Sequence, residues 1–132
     1  MKIPIRKVSK HAGKNLVGQA LAKQALAKAL VDQKIALYML ENGEPCAEML
    51  SGIAGTLQII QIACQIDSLV GVSVSQLKGA LNAAIALTLS NSYDSTQTAA
   101  IVQGLVCAEE LIYKVKPASV NIAWHKMQTR ST

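Results

Sequence analysis

Phenylalanine is absent from these 132 residues, and aromatic side chains make up only 3% of them, as one tryptophan and three tyrosines. A chain this poor in sheet-favouring aromatics, yet 51% hydrophobic through Ala, Leu, Ile and Val, reads as helical. The three cysteines, Cys46, Cys64 and Cys107, are odd in number and form no Cys-x-x-Cys pair. That spacing excludes a disulfide framework and zinc or dithiol motifs, and it points to a reduced, cytoplasmic compartment. The basic start MKIPIRKVSK leads into no continuous apolar stretch, so no signal peptide is expected. The most apolar run, Ile53 to Ile66, is interrupted by Thr56, Gln58, Gln61 and Gln65. It is too short to span a bilayer, so neither a transmembrane helix nor a membrane partner is expected.

Reactive constellations are equally scarce. Both histidines, His11 and His125, lie in the flanks of the chain, away from the helical body where reacting groups would have to converge. Glu41, Glu44 and Glu48 are separated by Gly43 and Pro45, which suits helix capping better than a metal site. Glu109 and Glu110 are adjacent, so on a helix they point about 100° apart and do not form a paired site. Gly13-Lys14-Asn15 has neither the upstream glycine nor the hydroxyl residue of a phosphate loop. Cys64 and Cys107 fall on apolar stripes, where cysteine acts as a small hydrophobe. Cys46, in the first turn of a predicted helix where the dipole favours a thiolate, is a candidate for a reactive thiol, though no histidine lies near it in sequence. No enzyme activity, cofactor or metal is expected, and no small-molecule substrate is indicated.

What the chain does contain is segregated charge and helical periodicity. Residues 1–34 carry eight bases against Asp32, net +7; residues 35–110 carry Lys78 against seven acids, net −6; residues 111–132 add four bases. Such a layout suits a polyanion at the ends, an acidic partner, or attraction between one copy's ends and another's middle. Solvated lysines that keep an apolar chain in solution explain it as well.

The length fits one domain able to bury its own core. Its expected organisation is a basic N-terminal arm (1–12), a helical bundle (13–117) and a basic C-terminal tail (118–132). Helix one spans Ala12 to Asn42 and leaves through Asn42-Gly43; its apolar positions do not lie on one narrow stripe, so either two faces are covered or the helix bends. Helix two follows the start signal Glu44-Pro45 and runs to about Asp67. Leu50, Ile53, Leu57, Ile60 and Cys64 line one of its faces. Gly52, Gly55, Ile59, Ile62 and Ile66 form a second apolar stripe, so this helix should be central or covered by another chain.

Helix three opens with the Ser73-x-x-Gln76 capping pattern and buries Val74, Leu77, Leu81, Ala84, Ile85 and Thr88. Helix four, capped by Asp94, places Ile101, Leu105, Ala108, Ile112 and Val115 on one face and ends at Pro117. Its Glu110 and Lys114 form an exposed i, i+4 pair. The tail is read as a short helix, through Val120, Trp124 and Met127, or a strand, through Val120, Ile122 and Trp124.

The expected fold is therefore all-α, an antiparallel four-helix bundle with a basic arm and a short terminal helix or strand. The expected function is binding: a small non-enzymatic regulator, adaptor or inhibitor that self-associates or meets a protein partner. Gly52, Gly55, Ile59, Ile62 and Ile66 are the candidate association face. The competing explanation has helix one or the tail, through Trp124 and Met127, covering that stripe inside one chain. The second functional reading is weak nucleic-acid binding, with Lys7, Lys10 and Lys14 at i, i+3, i+7 contacting phosphates if the arm is helical. Few arginines and no aromatic platform argue against it.

Overall fold

A computed structural model describes residues 2–39, 46–90 and 95–131, with side chains described over 18–39, 46–89 and 96–129. Five helices follow in order: α1 (Lys2–Tyr38), α2 (Ala47–Ile66), α3 (Val72–Ser90), α4 (Ser95–Lys114) and α5 (Pro117–Ser131). The protein is all-helical, with no strand among the described residues.

Helix α1 begins ten residues before the expected start, so from Lys2 onward the stretch read as an arm forms its first turns. Pro4 permits this because a proline in the first helical turn removes an amide that has no intrahelical acceptor. The helix closes with the amide of Met39 donating to Ile35 at 3.0 Å. The exit Asn42-Gly43 and the start signal Glu44-Pro45 lie outside the described residues, as does the cap Asp94.

Cys46 is the N-cap of α2, in extended backbone conformation with no side-chain capping bond. Its carbonyl accepts the amide of Leu50 at 3.0 Å. The predicted stripe Leu50, Ile53, Leu57, Ile60 and Cys64 is buried throughout. This helix packs against all four others, most extensively against α3 and α5, which makes it the central element. At its C-terminal end Ser68 and Gly71 turn the chain at positive φ, 57° and 132°.

Helix α3 starts at Val72, one residue ahead of the expected capping pair, and its first bond runs from the Ser75 amide to the Gly71 carbonyl at 3.1 Å. Ser73 and Gln76 are thereby placed inside the helix and reach across to α4. The Ser73 hydroxyl donates to Glu110 Oε2 at 3.5 Å, and Cys107 Sγ donates to Gln76 Oε1 at 2.7 Å. The buried face of α3 is Leu77, Ala80, Leu81, Ala84 and Leu87, whereas Ile85 and Thr88, expected inside, are exposed. Alanine-rich packing explains the shift. Ala80 sits so close to Gly104 that a methyl group built on the glycine would collide with the alanine Cβ and lie 3.4 Å from the Gln76 carbonyl.

All five stripe positions of α4 are buried: Ile101, Leu105, Ala108, Ile112 and Val115. The three couplings 73 with 110, 76 with 107 and 80 with 104 show α3 and α4 running in opposite directions. Lys23 Nζ donates to the Val115 carbonyl at 2.8 Å, and Lys34 pairs with Glu109 Oε1 at 2.8 Å, so α1 also runs against α4. Among the described residues that ion pair is the only one, and Glu110 meets Ser73 instead of the expected Lys114.

The tail is helical. Val120 and Ala123 of α5 are fully enclosed, Met127 packs at the core margin, and Ile122 and Trp124 face outward. Asp67 joins this helix to the end of α2: its Oδ2 accepts the Lys116 amide at 2.8 Å and its Oδ1 accepts the Ser119 hydroxyl.

Among the described residues two helices reach the length and composition needed to cross a membrane: Ala47–Ile66, with mean hydropathy 1.4, and Val72–Leu89, with 1.2. The helices continue past the interruptions that make the uninterrupted apolar run look short. Half of the first segment is buried inside the chain, as in the central helix of a packed core, against 28% of the second.

Candidate functional site

The proposed second stripe of α2 is largely used by the chain itself. Ile59 and Ile62 are buried, Gly55 is half-buried, and Gly52 and the 37% exposed Ile66 are exposed. Gly52 lies next to α1, where Gln33 Nε2 donates to Thr56 Oγ1 at 3.0 Å and Thr56 Oγ1 donates to the Gly52 carbonyl at 3.0 Å. The surplus apolar surface that the sequence implies is therefore not centred on α2.

It lies on α1. The inner face of that helix buries Leu26, Leu30 and Leu37, while a second face carries Leu21, 59% exposed, Ile35, 47% exposed, and Met39, 75% exposed. Between them Ala25, Lys28 and Asp32 are also exposed. The six positions 21, 25, 28, 32, 35 and 39 alternate steps of four and three, the spacing of a helix seam that meets another helix. Val31 and Tyr38 flank the stripe and are exposed as well.

A cavity of about 440 Å³ opens between α1 and the junction of α4 with α5, lined mostly by apolar groups including Ala20, Ala27, Ile112, Tyr113 and Pro117. Among its described lining residues the one cation is Lys23, which already donates to the Val115 carbonyl just past the end of α4, where unsatisfied acceptors attract a positive charge. A smaller depression of about 280 Å³ lies beside the α2–α3 turn, between Val70 and Lys114.

The thiols form no disulfide. Cys64 and Cys107 are buried and Cys46 is exposed; all three are free. Burial, assisted by the negative charge of Asp67, pushes the Cys64 thiol up to about 11, which keeps it protonated and unreactive near neutrality. His125 is exposed on α5, and His11 lies outside the described side chains. Among the described residues no three His, Cys, Asp or Glu side chains cluster as metal ligands. Lys7, Lys10 and Lys14 fall within α1, with side chains outside the described set.

No known protein family, curated protein or solved structure matches this chain.

Proposed function

We propose that this protein is a non-enzymatic interaction module of the cytoplasm that self-associates, using an antiparallel four-helix frame, α1 to α4, with α5 laid against it. One observation carries this reading: α1 is apolar on two sides and its own chain covers only one of them. A helix of that kind gains by burying its second side against another surface. The association face is accordingly centred on Leu21, Val31, Ile35, Tyr38 and Met39, with Ile66 outside it on α2.

Light scattering and sedimentation across a concentration series test the proposal. The wild-type chain is expected to associate, and Ile35→Glu to leave it folded but monomeric. Ile62→Glu should instead unfold the chain, because it forces a carboxylate into the core at a cost of about 3 kcal/mol or more. A wild-type chain that stays monomeric at several hundred micromolar overturns the reading.

The second reading, weak nucleic-acid binding, is supported by the extent of α1, which includes Lys7, Lys10 and Lys14, whose i, i+3, i+7 spacing in the sequence suits one face of a helix. Gel shifts over a salt series decide it. Absence of retardation at low ionic strength removes it, since phosphate contacts are strongest there.

A further inference from the structure

We infer that the partner of the bare α1 face is a second copy of the same helix, laid antiparallel about a two-fold axis at the level of residue 30, so that Lys28 of each chain faces Asp32 of the other. The inference rests on the self-association proposed above and adds its geometry. In a two-fold contact the same surface serves both copies, so every residue must be matched by its mirror position along the helix. The exposed seam meets that condition. About residue 30, Leu21 opposes the partner's Met39, Ala25 opposes the partner's Ile35, and Lys28 opposes the partner's Asp32, each pairing occurring twice. Apolar groups meet apolar groups at both ends, and opposite charges meet at the centre.

The central charges choose the register. Lys28 and Asp32 are exposed and take no part in the ion pair found among the described residues, which joins Lys34 to Glu109. Sliding one helix by one turn would set Lys28 against the partner's Lys28 and Asp32 against Ala25, or Asp32 against the partner's Asp32 and Lys28 against Ile35, so that like charges meet and the other charge is desolvated without a partner. Polar residues within an apolar helix seam specify alignment in this way, at some cost in stability. A parallel arrangement would place Lys28 against the partner's Lys28 and Asp32 against the partner's Asp32. The longer-range charge agrees with the antiparallel choice. Ahead of Leu21 the sequence carries Lys7, Lys10 and Lys14 without an acid, and beyond Met39 it carries Glu41, Glu44 and Glu48 without a base before Lys78. The proposed register sets basic sequence of one copy towards acidic sequence of the other.

Sedimentation equilibrium of the full chain tests this with Lys28→Glu, Asp32→Lys, their equimolar mixture, and the double variant carrying both changes. Each single variant brings like charges together twice and should weaken self-association about tenfold at low salt. In the mixture every acid faces a base, so a one-to-one pair should form at least as tightly as the wild type, and the double variant should regain self-association. Salt should narrow all these differences. Circular dichroism checks that the exposed substitutions leave the helices intact. Single variants that associate like wild type, or a mixture no tighter than its components, overturn the register while leaving self-association through Ile35 standing. A wild-type chain without any self-association overturns both.

Discussion

Cys64 has no exposed surface, and its thiol ionises near 11 instead of 9.0 because burial and the charge of Asp67 both oppose a thiolate. Between these two values the unfolded chain loses the proton while the folded chain keeps it. The unfolded state then binds fewer protons, so stability falls as pH rises through this window. The loss should begin near pH 9 and amount to about 2 kcal/mol by pH 11. Urea denaturation of wild type and Cys64→Ala at pH 8, 10 and 11 isolates it, since other groups titrate in both proteins. The gap between the curves should close with rising pH; parallel curves would exclude the linkage. Gly104 offers a steric counterpart. Gly104→Ala drives a methyl group into Ala80 and should cost about 1–3 kcal/mol, the usual penalty of overpacking. Ala80→Gly in the same chain should restore part of the loss, which a double-mutant cycle measures.

Helix α5 shows how one residue controls an element. Its first turn presents amides without intrahelical acceptors, and Asp67 from the end of α2 receives the Lys116 amide and the Ser119 hydroxyl. Asp67→Ala should destabilise the chain by about 1 kcal/mol, in the range of lost helix caps. The change should appear first as faster amide exchange at Val120 and Ala123, and unchanged protection there would show that packing alone holds the helix. Sequence periodicity reveals the core faces of α2 and α4, because all ten positions of their main stripes are buried, though not that the second stripe of α2 is largely covered as well. The start of α3 is misread for a physical reason. Ser73 and Gln76 have the spacing of a local cap, yet their polar atoms find acceptors or donors on α4, a competition invisible along the chain. Ile85 is likewise assigned inward by its hydrophobicity, whereas the close approach of Ala80 to Gly104 turns a neighbouring set of residues towards the core.

For the whole molecule, the sequence announces excess apolar surface but not its position. Ile59 and Ile62 on α2 look as available as Val31 and Ile35 on α1, since periodicity reports that a helix has two greasy sides and not which neighbours arrive. Five packed helices supply the missing information: α2 lies among the other four and α1 at the margin. Hence Ile62→Glu should act on folding and Ile35→Glu on assembly, although the two substitutions are chemically identical.

The position of α1 has a further consequence for how the chain is made. Helices α3 and α4 are neighbours in sequence and pack together most closely, so they can collapse as a local hairpin. The N-terminal helix packs chiefly against α4 and α5. It leaves the ribosome before α4 and α5 and waits for them with both greasy sides short of their main cover, a period in which chaperone capture competes with misassembly.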